Sequence, residues 1–267
     1  MYEQITNTAS FIRSKIAEEP EIGIILGTGL GGLADKIDTE TVLEYAGIPG
    51  FPVSTVEGHQ GRLIFGRLGG KRVVAMQGRF HYYEGYTPQQ VTFPVRVMKL
   101  LGIKTLFVSN ASGGVNPKFR RGDLMVITDH INLIPNPLIG PNLTEFGERF
   151  PNMAEAYDRE LIRLAGEVAG QKGINLQTGC YVGLTGPSLE TPKEYAFYRL
   201  IGGDTVGMST TPEVIVANHC GIPVFALSVI TNVADDGPES THEMVQDEGA
   251  RAEVRMTAVF EEMLRRL

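Results

Sequence analysis

The sequence predicts an α/β fold, one domain with a mixed central β-sheet and helices on both faces. Three observations carry this. Short apolar runs of strand length alternate with amphipathic helical stretches along all 267 residues. A Gly69-Gly70 pair between two apolar runs makes a hairpin, so part of the sheet is antiparallel. The glycine- and hydroxyl-rich segments fall just past strand C-termini, where open α/β sheets bind ligands.

Taken in order, Ile5, Ala9, Ile12 and Ile16 have helical spacing, and Pro20 ends that helix. Ile22 to Leu26 is an apolar strand running into Gly27-Thr-Gly-Leu-Gly-Gly32. Leu63 to Phe65 and Arg72 to Met76 form the hairpin. If Met76 to Tyr86 continues extended, Arg79, His81 and Tyr83 point one way, and Phe80 and Tyr82 anchor the other face. The competing reading is an edge strand with solvated Arg and His. Thr87-Pro88-Gln-Gln90 is a capping box opening a helix to about Leu101, with a kink at Pro94. Thr105 to Ser109 is a strand emptying into Asn110-Ala-Ser-Gly-Gly114, and Leu124 to Thr128 is the next strand. Residues 130–152 form a long Pro-, Asn- and Gly-rich loop, a length that points to function or an interface. Ala154 to Lys172 is a helix, and Tyr181 to Leu184 a strand leading into Gly186-Pro-Ser-Leu-Glu-Thr191. A second capping box, Thr191-Pro192-Lys-Glu194, opens a helix to about Ile201. Thr205 to Met208 is strand-like, and Thr211-Pro212-Glu213 starts a helix. Val224 to Ile230 is an apolar strand ending in Thr231-Asn232, and the last helix runs from about Thr241 to the C-terminus.

The net charge of −7 opposes binding to nucleic acid or anionic membrane. The N-terminus lacks the pattern of a signal peptide, and no apolar stretch has the length to span a bilayer. Cys180 and Cys220 lie far apart without a Cys-x-x-Cys pattern and read as buried thiols in a reducing compartment. The expectation is a cytoplasmic protein.

Gly27 to Gly32 fits the dinucleotide pattern Gly-x-Gly-x-x-Gly, but Asp35 and Asp38 come too early for the acidic residue of that fold, and the turn at Gly47 to Pro52 leaves little room for a βαβ unit. No Gly-Lys-Ser/Thr follows. A phosphate nest with the Thr28 hydroxyl remains. Arg79 offers a planar fork of donors for an oxyanion, beside His81 and Tyr83. His59 lies in a Gly-flanked loop, where a histidine is either simply exposed or functional. No His pair has metal spacing, so no metal is expected. Glu190 stands just ahead of a helix N-terminus, whose dipole would keep it ionised as an acceptor for a heterocycle N–H. The alternative is an ordinary helix-start carboxylate. Ser209 can hold an oxyanion and Met208 can pack on a sugar or base. The alternative is a core Met with a cap Ser. Asn232 is either a turn residue or a two-way ligand group. Asp235-Asp236 reads as solvated loop.

Together, Gly27-Thr-Gly-Leu-Gly31, Gly58-His59-Gln-Gly-Arg62, Met76-Gln-Gly-Arg-Phe-His-Tyr-Tyr-Glu84, Asn110-Ala-Ser-Gly-Gly114, Gly186-Pro-Ser-Leu-Glu-Thr191, Gly207-Met-Ser209, Ile230-Thr-Asn232 and His242-Glu-Met-Val245 resemble the trimeric purine nucleoside phosphorylase family. They run in family order over nearly the whole chain. The resemblance implies one nucleoside phosphorylase domain over 1–267, with the family's three-layer fold. It implies a pentosyltransferase of purine salvage, with no cofactor and with inorganic phosphate as co-substrate. Thr28, Arg79, His81, the Ala111 N–H and Ser209 would hold phosphate, with His59 gating. Tyr83, Met208 and His242 would hold ribose. Glu190 and Asn232 would bind the purine edge, Ala111, Leu189 and Val245 would line it, and His81, Glu190, Asn232 and His242 would carry the catalytic roles. Phe146, in the long loop, would reach a neighbouring subunit's ribose site in a homotrimer. Asn232, where methylthioadenosine phosphorylases carry Asp, implies 6-oxopurine nucleosides, inosine and guanosine. Thr28 departs from the Ser that the resemblance implies, and Leu189 and Val233 depart from the aromatic and Lys of mammalian members; these departures suggest a bacterial-type member. An NAD-dependent oxidoreductase, a non-catalytic nucleoside-binding protein and a hydrolase are the competing readings.

Overall fold

Ile22–Leu26 (β1) is apolar at four of five positions and buried at every one, because it lies in the middle of the sheet with strands on both sides. Period-two alternation divides its side chains. Ile22, Ile24 and Leu26 face one core layer and Ile25 the other. Lys71–Gln77 (β4) splits in the same way, with Val73 and Ala75 on one side and Val74 and Met76 on the other. The computed structural model describes residues 1–28, 30–55, 60–233 and 242–267, the side chains of 242–246 excepted.

The remaining strands are Asp38–Glu44 (β2), Arg62–Leu68 (β3), Thr105–Gly114 (β5), Leu124–Asn132 (β6), Leu176–Gly183 (β7), Thr205–Gly207 (β8) and Val224–Val233 (β9). All nine belong to one sheet in the order β2-β3-β4-β1-β5-β8-β7-β6-β9, and β9 also pairs with β5. That extra pairing closes the last five strands on themselves, while β2, β3, β4 and β1 form an open wing. The β3–β4 hairpin is antiparallel, and β1 is parallel to both β4 and β5, so the sheet is mixed as expected.

Helices cover both faces. Tyr2–Arg13 (α1), Pro88–Val91 (α2), Phe93–Leu101 (α3) and Thr211–His219 (α6) lie on one side, where Ile5, Ile12, Val97, Leu101 and Val214 enter the core layer. Arg159–Lys172 (α4) and His242–Arg266 (α7) lie on the other, with Leu161, Val168, Met256 and Phe260 buried. Pro192–Leu200 (α5) packs on a smaller cluster of Val115, Val182, Leu184 and Val206 through Tyr198 and Tyr195. No helix among the described residues is long and apolar enough to cross a membrane.

Several boundaries differ from expectation. β2 was not legible. Its residues are exposed except Thr41 and Leu43, which are half-buried, as befits a charged edge strand. β5 runs through Asn110-Ala-Ser-Gly-Gly114, because β9 supplies a parallel partner along that whole stretch. β6 extends to Asn132, shortening the long loop. α4 starts at Arg159 rather than Ala154, because Asp158 caps it, its Oδ1 accepting from Leu161 N at 2.9 Å. Ile16 lies beyond the end of α1. The 87–101 helix is two helices meeting at Thr92, since Pro94 has no N–H for the ladder. Cys220 is buried but Cys180 only partly, and burial pushes both thiols up to about 11.

Phe260 of α7 is fully buried, with ring centroids 5.3 Å from Phe107 and 5.8 Å from Phe225. Phe260→Ala is expected to cost about 3–5 kcal/mol in denaturant unfolding. A loss under about 1 kcal/mol would mean this aromatic trio does not tie α7 to the sheet.

Candidate active site

The C-terminal ends of β1, β4, β5, β8 and β9 converge on a cleft of about 460 Å³. The β1–β5 ladder stops at Ile25–Val108 while β5 continues to Gly114, so the sheet opens where Ala111 lies. Close approach of the two strands at that point requires Gly27, where a Cβ would stand 2.8 Å from Asn110 Cα. Thr28, Arg79, His81, Tyr83, Ala111, Leu189, Glu190, Met208, Ser209 and Asn232 all line this cleft. Ten of the sequence-derived site residues, from six distant segments, are thus brought together.

One end is built around Arg79, which is 1% exposed. Its Nε donates to Glu213 Oε1 at 3.0 Å, and its Nη1 to Ser109 O at 2.8 Å and Ser209 Oγ at 3.2 Å. Glu213 sits in the first turn of α6, the end where the helix dipole favours a carboxylate. Beside Arg79, the buried His81 places Nδ1 2.9 Å from Glu84 Oε1, and the same oxygen accepts from His81 N at 2.7 Å. Burial lowers the His81 pKa, with Glu84 opposing, so the ring favours its neutral form. Glu84 is held down at about 2, its burial outweighed by bonds from His81 and Thr55. Glu84 Oε2 accepts from Thr55 N at 2.9 Å and Thr55 Oγ1 at 2.6 Å, fixing the last described residue before the segment that contains His59.

The extended geometry expected for 76–86 does not hold. β4 ends at Gln77, and Tyr82–Glu84 is a 3-10 turn closed by the His81–Glu84 capping box. The turn still brings the pair together, stacking the rings of His81 and Tyr83 at 4.7 Å and 15°. Phe80 anchors the segment as expected, buried among Tyr45, Phe51 and Tyr86.

Ser209 is set by a γ-turn centred on Thr210, at φ 69°, closed by Thr211 N to Ser209 O at 2.7 Å. Asn110 Nδ2 holds that strained residue through Thr210 Oγ1 at 2.8 Å. Met208 packs where only glycine fits, since a Cβ on Gly186 would stand 2.2 Å from its Sδ.

The other end carries Asn232 and Glu190. Thr231 Oγ1 donates to Asn232 Oδ1 at 3.3 Å, and Asn232 Nδ2 donates to Tyr195 Oη at 3.3 Å. Glu190 departs from expectation. At the start of α5 the Thr191 and Glu194 N–H groups are taken by their own capping box, so those two do not serve Glu190. Burial instead pushes its carboxyl up, opposed by its own backbone N–H and by Tyr195.

Phe146 is not at the cleft. It is 7% exposed, packed edge-on against Tyr2 with Arg96 over its face, and so is unavailable to another subunit. The exposed ring of that loop is Phe150, at 86%. It lines a separate, open cleft of about 550 Å³ with Leu138, Ile139 and Arg149. His59 and the side chains of His242 and Val245 lie outside the described residues. Tyr195 and Glu213 were missed as site residues. For Glu213 the signal was present, a lone acid in the apolar run of α6 that required a buried cation. Among the described residues no group of three or more His, Cys, Asp or Glu can hold a metal ion.

A buried guanidinium at one end and an amide–carboxylate pair at the other define a site for an oxyanion beside a flat polar heterocycle. A family model described as the phosphorylase superfamily matches residues 21–265. The chain is 56% identical to purine nucleoside phosphorylase 1 of Bacillus subtilis, covering 92% of each chain. It is 49% identical to the purine nucleoside phosphorylase of Bos taurus, covering 94% of this chain and 90% of that one. The crystal structure of Schistosoma mansoni purine nucleoside phosphorylase with inosine superposes at a TM-score of 0.94 and 45% identity, over 99% and 96% of the two chains. The chain belongs to the purine nucleoside phosphorylase family, pentosyltransferases of the phosphorylase superfamily.

Because Glu84 is depressed to about 2, the stability it contributes is present above its unfolded pKa near 4.5 and is lost as pH falls toward 2. The stability gap between wild type and Glu84→Gln should therefore be full at pH 7 and shrink between about pH 4.5 and 2. A gap that is constant across acid denaturation would contradict the assignment.

Proposed function

We propose that this chain catalyses reversible phosphorolysis of 6-oxopurine nucleosides, inosine and guanosine with their 2′-deoxy forms, to the free purine and (deoxy)ribose 1-phosphate in purine salvage. The observation that supports this most is the two-ended cleft, with Arg79 buried at one end and Asn232 with Glu190 at the other. Related Schistosoma purine nucleoside phosphorylases have been solved in complex with inosine, guanosine and hypoxanthine, and an isoform 2 with cytosine and ribose-1-phosphate.

In this reading phosphate is held by Thr28, Arg79, His81, the Ala111 N–H and Ser209, with His59 gating. Ribose lies against Tyr83 and Met208, with His242 at its 5′-hydroxyl. The purine meets Glu190 and Asn232, bordered by Ala111, Leu189 and Val245. The glycosidic bond breaks with positive charge growing on the sugar and negative charge on the base. Phosphate attacks C1′ from the opposite face and stabilises the cationic sugar, while Asn232 donates to the developing purine anion. No protein nucleophile or cofactor is invoked. The catalytic terms are positioning and charge stabilisation. Glu190 must be ionised to accept N1–H, so the raised pKa of its half-buried carboxyl sets an acid limit on turnover.

The same reading makes the protein a homotrimer of a bacterial-type member, with residues 1–267 as one catalytic domain and a cytoplasmic setting suited to two free thiols. The loop ring reaching a neighbouring ribose site becomes Phe150, because it is exposed and Phe146 is not.

Inosine cleavage should require inorganic phosphate and yield ribose 1-phosphate. Release of free ribose without phosphate would reject the reading in favour of a hydrolase. Asn232→Ala should lower kcat/KM for inosine by about 10²–10³. Asn232→Asp should shift preference toward adenosine. The Schistosoma mansoni enzyme also forms a complex with adenosine, so the comparison must be of kcat/KM rather than of binding.

A further inference from the structure

Ser209 carries two donors, and the fold uses one of them internally. Its backbone N–H is given to Tyr181 Oη at 3.3 Å. Gly207 keeps room for that contact, since a Cβ there would stand 2.3 Å from the phenol oxygen. What remains for a ligand is the hydroxyl proton, and the neighbours of Ser209 Oγ decide where it points. Arg79 Nη1 donates to this oxygen at 3.2 Å, and a guanidinium has nothing with which to accept. Thr210 Oγ1 lies 3.1 Å away.

The direction of each proton along the buried chain follows by counting. Ser228 Oγ donates its one proton to Asn110 Oδ1 at 2.5 Å, so in the 2.6 Å contact between Ser112 and Ser228 the donor is Ser112. Asn110 Nδ2 in turn donates to Thr210 Oγ1 at 2.8 Å. Thr210 is fully buried, and its hydroxyl has no hydrogen-bond partner among the described residues other than Asn110 and Ser209. Were Ser209 to donate to Thr210, the Thr210 proton would be left without an acceptor away from water, and such orphans are costly. Thr210 therefore donates to Ser209. Both acceptor positions of Ser209 Oγ are then filled, by Arg79 and by Thr210. Its own proton is left to enter the cleft, which Ser209 lines.

Resting on the phosphorolysis reading above, we propose that Thr210 is a positioning residue for the phosphate co-substrate: its hydroxyl, without touching the ligand, fixes Ser209 as a hydrogen-bond donor to the oxyanion. A hydroxyl can donate or accept, and only donation serves an anion. The backbone is bent to the same end. Thr210 is the one non-glycine residue at positive φ among the described residues, at 69°, in the turn closed by Thr211 N to Ser209 O at 2.7 Å. Glycine would adopt that conformation without strain. What threonine adds at that cost is a side chain whose hydroxyl is bonded to Asn110 and to Ser209.

The test is Thr210→Val, which keeps the branched shape and removes the hydroxyl, with Thr210→Ser as the conservative control. Thr210→Gly, which takes the positive φ without strain, replaces the valine variant should that one not fold. The KM for phosphate and the KM for inosine are measured in each, and binding of inorganic phosphate is read by calorimetry. The phosphate KM and Kd should rise about tenfold or more, the size of a lost hydrogen bond to a charged group, while the inosine KM changes by less than about twofold. Thr210→Ser should restore phosphate affinity. In a Ser209→Ala background the Thr210 substitution should have no further effect on phosphate, because its route to the anion is gone. An unchanged phosphate affinity, a parallel loss for both substrates, no rescue by serine, or a full effect in the Ser209→Ala background each overturns the proposal. If the wild type neither binds phosphate nor needs it to cleave inosine, the phosphorolysis reading is rejected and the proposal with it. A wild type that needs phosphate, with no effect of Thr210, rejects the proposal alone.

Discussion

The buried Arg79–Glu213 pair is the constraint on which the rest of the site depends. Side-chain exposure is 2% on the arginine and 3% on the glutamate, so both charges have left water. Such a pair adds little net stability over apolar packing of similar volume, because desolvation offsets most of the attraction. What it supplies is placement. The guanidinium is held at Nε by Glu213 and at Nη1 by Ser109 O and Ser209 Oγ, so its plane is set before any ligand arrives. Three elements of the fold are thereby pinned at one point: the end of β4, the middle of β5 and the start of α6.

From that point a buried polar chain crosses the floor of the cleft. Ser209 Oγ lies 3.1 Å from Thr210 Oγ1, which accepts from Asn110 Nδ2. Asn110 Oδ1 accepts from Ser228 Oγ at 2.5 Å, and Ser228 Oγ lies 2.6 Å from Ser112 Oγ. Buried polar groups are costly unless satisfied, so a chain in which each member satisfies the next has one low-energy arrangement. It also explains how Thr210 persists at φ 69°, a region that ordinary residues avoid. The strain at the γ-turn is offset by the Asn110 bond, and the result is a Ser209 hydroxyl aimed at the cationic end.

Much of this was legible in the sequence because turn chemistry is local. Ile22–Leu26, the Gly69-Gly70 hairpin and both capping boxes declare themselves through residues at fixed short offsets. The convergence of Thr28, Arg79, Glu190, Ser209 and Asn232 was legible through motif order and strand ends. What escaped depends on neighbours distant in sequence. β5 continues through Gly114 only because β9 lies alongside, and β2 is a strand only because β3 pairs with it. Phe146 and Phe150 stand four residues apart in one loop, and only packing against Tyr2 and Arg96 decides which ring is buried. Tyr195 reads as one more aromatic in an amphipathic helix until β9 brings Asn232 to its hydroxyl. Glu190 stands before a helix N-terminus, yet desolvation outweighs the help that position offers, and the Thr191 and Glu194 N–H groups are bonded within their own capping box.

The anion end has a further feature that bears on how it works. Each of its two nitrogenous groups is backed by a carboxylate, Arg79 by Glu213 and His81 by Glu84. Those carboxylates cancel much of the positive field, and the chain as a whole carries a formal charge of −7. A dianion is therefore not drawn in by long-range attraction, which requires complementary charge. In the proposed reading it is held by direction, through donors whose orientation the carboxylates fix. That arrangement favours an oxyanion of the right shape over any anion of the right charge. It also avoids an over-tight ground state, since binding that is equally strong before and during the reaction does not raise the rate of the chemical step. A co-substrate that must attack a sugar is better served by orientation than by affinity, and the paired carboxylates supply orientation at the expense of affinity.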